Sequence, residues 1–206
     1  MHIQRLEGSI YQYGNLSVVP YPSDRALALA FIRFDDEDLL GDIFHEWKPP
    51  LRWLLEKFQQ PENVVLGLTV EQDGVYKSAG IAWYNQLNGN PANKRAEAGA
   101  GLFREFHGSP FKVAVPLIHM ATEWAFKELK LDTLWGITPV PNSGMAAILK
   151  RLGYKQCRIE QYTVFRGEPC DAWVSTMTRE RWWPSDKQEE VEPWAAVDHL
   201  QPSNPK

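Results

Sequence analysis

The chain has little of what membrane proteins, disulfide scaffolds and metal-binding modules need. None of its apolar stretches approaches the roughly 20 residues that a membrane-spanning helix requires. It has only two cysteines, Cys157 and Cys170, without a CxxC spacing, and this scarcity predicts a reduced, cytoplasmic protein. The five histidines show no HxxxH or HxH pattern, so no metal site is expected.

Positive charge is not in excess either. The 206 residues include 22 Lys and Arg against 26 Asp and Glu, which gives a net charge of −4. Because nucleic-acid binders usually present a basic face, we expect no nucleic-acid partner. Residues 1–15 lack the apolar segment of a signal peptide, and we expect no membrane partner. What the chain has in excess is tryptophan, with nine copies.

Local patterns predict a strand and two helices in the first third of the chain. We expect a short strand over Leu16–Val19. A helix is predicted over Asp35–Trp47, because an acidic first turn (Asp35–Asp38) opposes the positive end of the helix dipole. A second helix is predicted over Leu51–Phe58, between proline residues.

The hydrophobic period then changes to that of strands. Runs of apolar and β-branched residues at Val64–Val70 and Val75–Tyr84 flank Asp73-Gly74, a strong signal for a type I′ hairpin turn. A third strand is predicted near Arg95–Phe103. The three strands are expected to be antiparallel.

The second half of the chain predicts two helices and three strands. The first helix begins at Ser109-Pro110, where serine caps and proline occupies the first turn, and its Pro116 should kink or delay it. This helix is predicted to run to about Leu129. A strand at Thr133–Thr138 follows, and then a helix at Ser143–Leu152, which Asn142 caps and Gly153 ends. The last two predicted strands are Tyr154–Phe165 and Cys170–Thr178.

The composition shifts after Pro184 towards proline and acidic residues, so residues 184–206 are predicted to be a tail beyond a single domain of residues 1–183. Three tryptophans, Trp182, Trp183 and Trp194, follow the last predicted strand. They should either fasten the C-terminal segment to the domain, with Trp194 docking the tail, or mark a surface for a protein partner.

Two stretches, Ala96–Leu102 and Asn142–Tyr154, carry a family resemblance. The second has an asparagine cap, an apolar helix and a Leu-Gly-Tyr exit. By these two stretches and by the order of its predicted elements, the chain resembles a divergent member of the GNAT acyltransferase superfamily. The resemblance implies a mixed α/β fold, with a mostly antiparallel central sheet flanked by helices.

The resemblance also implies acetyl-CoA as the cofactor. The pantetheine would pair with a splayed strand, and the pyrophosphate would bind backbone N–H groups at a helix N-terminus. The implied cofactor-binding residues are Leu102, Phe103, Arg104, His107, Gly108, Ser109, Phe111, Lys112 and Asn142. The loop departs from the family pattern, because Pro110 lacks an N–H group and Lys112 replaces a small residue with a cation that can bind phosphate.

Three residues are candidates for acid–base catalysis. Glu97 matches a family glutamate that takes a proton from the acceptor amine; the alternative is a strand carboxylate paired with Arg95 or Lys94. The tyrosine that serves many relatives as the acid is replaced by Leu149. Ser143 and Tyr84 are the candidate substitutes.

Two functions remain open from the sequence. The first is acetyl transfer from acetyl-CoA to an amine of a small molecule or a protein. The acidic residues Asp35–Asp38, with Asp42 and Glu46, would suit such a cationic acceptor, or they form an ordinary solvated helix face. The second is a GNAT fold that has lost catalysis and acts as a partner-binding or inhibitory protein, which the altered loop and the abundant tryptophans would favour.

Overall fold

The computed structural model describes residues 4–21, 23–44, 48–85, 87, 93–107 and 113–183, with side chains from residue 8 onward. Strands and helices are numbered in chain order. The strands are β1 (Gln4–Leu6), β2 (Ile10–Tyr13), β3 (Leu16–Pro20), β4 (Val64–Gln72), β5 (Val75–Asn85), β6 (Arg95–Leu102), β7 (Thr133–Pro139), β8 (Lys155–Phe165) and β9 (Glu168–Thr178). The helices are α1 (Asp24–Asp36), α2 (Leu40–Phe44), α3 (Leu51–Phe58), α4 (Val115–Glu128), α5 (Ser143–Arg151) and α6 (Arg179–Trp182).

One twisted sheet organises the described part of the chain. Its nine strands run in the order β1-β2-β3-β4-β5-β6-β7-β9-β8. Every neighbouring pair is antiparallel except β6 and β7, which are parallel. The predicted fold class, a mixed α/β protein with a mostly antiparallel sheet, is therefore confirmed.

Two hairpins are closed by two-residue turns with left-handed backbone. Asp73 and Gly74 join β4 to β5 with φ of 55° and 76°, as the Asp-Gly signal predicted. Arg166 and Gly167 join β8 to β9 with φ of 52° and 89°. Positive φ at both central residues defines the type I′ turn, whose twist matches that of the strands it connects.

The N-terminal prediction is wrong in two respects. Two strands, β1 and β2, precede the one that was expected, and the helix predicted over Asp35–Trp47 is replaced by α1 and α2. Ser23 caps α1, because its Oγ accepts a hydrogen bond from the Ala26 N–H group at 3.3 Å. Asp35 and Asp36 therefore end a helix instead of beginning one. Trp47 lies outside the described residues.

Helices cover both faces of the sheet. On one face, Phe34 of α1 and Ile43 of α2 contact Gly101 of β6. On the other face lies α4, whose residues from Val115 to Phe126 are all buried. Pro116 falls in the first turn of α4, where its missing N–H group costs no helical hydrogen bond, so the proline delays the helix without kinking it. The predicted start at Ser109 lies outside the described residues.

The C-terminal helix α6 was not predicted, and it places Trp182 against α4. The indole of Trp182 is only 9% exposed, and its ring centroid lies 4.6 Å from that of His119 and 6.2 Å from that of Phe126. Trp183 contacts the same Phe126 at 6.0 Å. These two tryptophans therefore fasten the end of β9 to the domain, whereas Trp194 lies outside the described residues.

In the described ranges, no helix combines the length and the apolar character that crossing a bilayer would take.

We predict that Trp182→Ala lowers the free energy of unfolding by about 3 kcal/mol, because it removes a large buried side chain and leaves a cavity beside α4. Urea denaturation measures this difference. Leu29→Ala is the control, since Leu29 is 58% exposed on α1, and it should change stability by less than about 0.5 kcal/mol. Equal effects of the two substitutions would show that Trp182 does not fasten the segment.

Candidate active site

The two parallel strands of the sheet diverge soon after they meet. β6 pairs with β7 at only three positions, Arg95–Glu97 against Thr133–Trp135. Beyond Glu97, β6 continues to Leu102 and β7 continues to Pro139 with no further pairing between them. The strands therefore enclose a wedge-shaped gap in the middle of the sheet.

The backbone of β6 faces this gap with polar groups. The Phe103 N–H group donates to the Ala79 carbonyl of β5 at 2.9 Å, and in an antiparallel pair alternate residues point their N–H and C=O groups to opposite sides. Ala98, Ala100 and Leu102 therefore direct these groups away from β5, towards β7. The Leu102 carbonyl contacts the His107 Nε2 atom at 2.8 Å.

Two adjoining cavities occupy the gap. The larger has a volume of about 470 Å³. Its lining residues come from the central strands β5, β6 and β7, from β8 and β9, and from helices α2 to α5. The smaller, of about 380 Å³, extends to His107 and Ala114 near the start of α4. Asp42, Ala100 and Asn142 line both cavities, so the two form one groove.

Glycine lets bulky side chains approach β6 and β7 closely. A Cβ atom at Gly99 would lie 2.2 Å from the Trp83 ring, and one at Gly101 would lie 2.7 Å from Ile43. A Cβ atom at Gly136 of β7 would lie 2.6 Å from the Ala98 carbonyl oxygen. The small residues of the Ala96–Leu102 stretch thus shape the wall of the groove.

Glu97 lines the larger cavity at the last position where β6 and β7 are paired. Partial burial raises the pKa of its carboxyl group, while the nearby Lys57 ammonium lowers it. A carboxylate with a raised pKa accepts a proton more readily than one in water, which suits a general base. The structure therefore places the predicted base on the cavity wall.

Of the two candidate acids, only Tyr84 lies at the cavity. Its hydroxyl donates to the Ala121 carbonyl at 2.6 Å, and burial raises its pKa well above the usual value of 10.0. Ser143 is exposed at the start of α5 and lines neither cavity.

Tyr154, which the sequence arguments did not select, also lines the cavity. Its hydroxyl lies 2.8 Å from the Thr122 Oγ1 atom, and burial raises its pKa to about 12. The Leu-Gly-Tyr motif marked Tyr154 as a position that resembles the family pattern. The motif did not indicate that the Tyr154 hydroxyl lies at the groove.

The predicted cofactor residues fall into three groups. Leu102, His107 and Asn142 line the smaller cavity, and the Asn142 side chain caps α5 by accepting from the Met145 N–H group at 3.4 Å. Two others, Phe103 and Arg104, line neither cavity. The third group, Gly108, Ser109, Phe111 and Lys112, lies outside the described residues.

Phe103 and Arg104 point elsewhere for clear reasons. The Phe103 ring is buried 4.5 Å from the Phe34 ring and is covered by the Arg33 guanidinium at 3.9 Å. The Arg104 guanidinium donates to the Glu37 carbonyl oxygen, and the Arg104 N–H group donates to the Glu37 carboxylate at 2.6 Å. Their side chains therefore hold β6 to α1.

The acidic residues near α1 and α2 are engaged in ion pairs. Asp35 pairs with Lys48, and Glu37 pairs with Arg33 at 2.7 Å. Asp42 of α2 receives two hydrogen bonds, at 2.7 and 3.0 Å, from Arg166 in the turn between β8 and β9. Of these acidic residues only Asp42 lines the groove. The cluster therefore does not form a single subsite for a cationic acceptor.

A sheet that opens between two parallel strands above a helix N-terminus defines a class of acyltransferases. The chain matches the sequence profile of the acetyltransferase (GNAT) domain over residues 17–155, and it therefore belongs to the GNAT acetyltransferase family. A comparison with curated protein sequences found no match.

Solved structures share the fold at low sequence identity. The ribosomal-protein-S5-alanine acetyltransferase from Vibrio fischeri is 16% identical, with a TM-score of 0.66 over 85% of this chain and 99% of that protein. The spermidine N-acetyltransferase from Vibrio cholerae is 14% identical, with a TM-score of 0.67 over 82% and 98%. RimJ from Mycobacterium smegmatis is 14% identical, with a TM-score of 0.67 over 89% of both chains.

We predict that Gly99→Ala destabilises the protein by about 1–3 kcal/mol, because the added methyl group would overlap the Trp83 ring. Gly144→Ala is the matched control, since nothing lies within 4 Å of its Cβ position and the residue is helical. The control should stabilise by up to about 1 kcal/mol. Thermal unfolding compares the variants, and an unchanged melting temperature for Gly99→Ala would contradict the packing described.

Proposed function

We propose that the protein is an acetyl-CoA-dependent N-acetyltransferase that acts on an amine. The observation that carries the proposal is the gap between β6 and β7, which opens a cavity with Glu97 on its wall. Such a gap has a chemical use, because it brings unpaired backbone groups and a carboxylate with a raised pKa to one place.

The residues of the groove fit the pantetheine arm of acetyl-CoA. Ala98 and Ala100 direct backbone groups into the gap, where the amides of the arm would pair with them. Because Gly136 has no side chain, the Ala98 carbonyl lies close against β7, and the arm would pair chiefly with the backbone beyond this point. When bound, acetyl-CoA would supply an activated acetyl thioester.

The relatives support this cofactor. The Vibrio cholerae structure contains CoA and spermine, and the RimJ structure contains a CoA disulfide. In the present chain, His107 and Asn142 border the part of the groove that leads towards α4 and would lie near the far end of the arm. Gly108, Ser109, Phe111 and Lys112 follow His107 in the chain, and we propose that they contact the pyrophosphate.

The chemistry then needs a proton acceptor and a proton donor. Glu97 accepts a proton from the acceptor amine. At the same time the amine nitrogen bonds to the acetyl carbon, and the carbon–sulfur bond of the thioester breaks. Tyr84 and Tyr154 both keep their protons at neutral pH, because burial raises their pKa values. Either hydroxyl would donate a proton to the departing sulfur after releasing its present partner, the Ala121 carbonyl or Thr122.

The alternative, a protein that keeps the fold but not the chemistry, would be favoured by a channel that Phe103, Phe111 or the helix of Pro116 fills. Phe103, one of the residues expected to fill it, is turned into the core and does not line the groove. Phe111 lies outside the described residues. Within the described ranges, neither Phe103 nor α4 fills the groove, and Ile118, Ala121 and Thr122 of α4 line it instead.

We predict that Glu97→Gln lowers kcat for acetyl transfer by about 10²- to 10⁴-fold, because it removes the proton acceptor. The dissociation constant for acetyl-CoA, measured by calorimetry, should stay unchanged. Glu62→Gln, at an exposed carboxylate away from the groove, is the matched control and should leave both quantities unaltered. Absence of acetyl-CoA binding by the wild-type protein at millimolar concentration would refute the proposal.

The pH dependence provides a separate prediction. Because Glu97 must be deprotonated, kcat/KM should rise with pH through its pKa, which lies above the ordinary 4.5. In Glu97→Gln this rise should disappear, while any rise due to deprotonation of the acceptor amine should remain. Rate profiles between about pH 4 and 9 distinguish the two contributions, and identical profiles would exclude Glu97 as the base.

A further inference from the structure

The end of the larger cavity that faces α3 combines aromatic walls with opposite charges. Trp53 and Lys57 of α3, Trp83 and Asn85 of β5, and Glu97 of β6 all line it. Trp83 and Asn85 lie on the same face of β5, because side chains alternate along a strand, and Glu97 is the cross-strand partner of Asn85. These groups therefore converge on one side of the sheet.

Lys57 provides a cation beside Glu97. Its Nζ atom lies 5.0 Å from the centre of the Trp53 ring. Within the described ranges, it makes no ion pair or hydrogen bond to another side chain. It is close enough to Glu97 to lower the pKa of that carboxyl group. An acceptor bound beside Glu97 would therefore meet a positive charge as well.

Asn85 offers a hydrogen-bond acceptor next to Glu97. The residue is only 6% exposed, and its Oδ1 atom has no hydrogen-bond partner among the described residues. A buried acceptor without a partner is unfavourable, so a ligand that donates to it gains affinity. A primary amine has enough N–H groups to donate to Asn85 and to Glu97 together.

The remaining walls suit an apolar body. The Trp83 ring is stacked on the Phe44 ring at 5.9 Å and 20°, and Trp53 is 36% exposed at the edge. A polyamine fits this site poorly, because Asp42 is the only other carboxylate among the described lining residues and Arg166 already binds it. The same ion pair joins the two walls of the groove, α2 and the β8–β9 hairpin, which favours a small acceptor.

We propose that the acceptor is a free α-amino acid with an aromatic or large apolar side chain. Its amine donates to Asn85 and Glu97, its carboxylate binds Lys57, and its side chain packs against Trp83 and Trp53. The inference rests on the proposed function. In the reaction a nitrogen–carbon bond forms, the thioester carbon–sulfur bond breaks, Glu97 takes the amine proton, the thiol is released, and the carboxylate is unchanged.

The test compares acceptors that differ in one group. Acetyl transfer is measured with L-phenylalanine, with phenethylamine, which lacks the carboxylate, with L-phenylalaninamide, in which it is neutral, and with spermidine. We expect kcat/KM for L-phenylalanine to exceed that for each of the others by about tenfold or more, since a charge-assisted hydrogen bond is lost in the analogues.

Variants of Lys57 assign the preference to a residue. At a pH well above the pKa of Glu97, Lys57→Met should raise KM for L-phenylalanine by about tenfold more than KM for phenethylamine, with little change in the ratio of the two kcat values. Lys57→Arg should restore most of the preference. Lys77→Met is the matched control, because Lys77 is exposed on β5 and its ammonium donates to Gln72, and it should change nothing. Circular dichroism verifies that each variant is folded.

The outcomes separate this inference from the function on which it rests. Equal use of L-phenylalanine and phenethylamine, preference for spermidine, or a Lys57→Met effect that is the same for both amines would overturn the amino-acid assignment while acetyl transfer stands. Acetyl-CoA binding without acetylation of L-phenylalanine would also overturn it. Failure to bind acetyl-CoA would instead remove the proposed function.

Discussion

Three residue pairs hold β6 to β7, and the groove exists because no fourth pair follows. Further pairing between β6 and β7 would close the sheet. Without any pairing between these two strands, the sheet would be divided into two halves. β7 tolerates the gap because it pairs with β9 at seven positions, from Thr133 to Pro139. The open edge of β6 is likewise supported by β5 from Glu97 to Leu102. The site is thus a local interruption in a sheet that is continuous on either side.

Helix α4 connects this interruption to the rest of the core. Its carbonyl at Ala121 binds the Tyr84 hydroxyl, and its Thr122 contacts the Tyr154 hydroxyl, so two phenols of the cavity are oriented by one helix. The helix is in turn enclosed from outside, by the Trp182 ring and by the N-terminal strands, where the Trp124 indole donates to the Ser9 carbonyl at 2.8 Å. Burial of nearly all of α4 therefore fixes the position of these two hydroxyl groups.

Sequence patterns predicted the elements that local chemistry determines. The Asp73-Gly74 turn, the Asn142 cap and the helix over Leu51–Phe58 were found because each has its own signal within a few residues. The acidic run at Asp35 misled, because its carboxylates pair with side chains, Asp35 with Lys48 and Glu37 with Arg33, and not with the N-terminus of a helix. The fate of Phe103 and the convergence of Asn85 with Lys57 depend on tertiary packing, which no short pattern encodes.

The Asp42–Arg166 ion pair has a consequence for how the protein is made. Its two residues lie 124 positions apart in the chain, yet they join the two sides of the groove. Contacts between distant segments form late in folding, because the intervening chain must be ordered first. A nascent chain that still lacks the β8–β9 hairpin therefore lacks one wall of the groove, so the groove is complete only when the end of the domain has been synthesised.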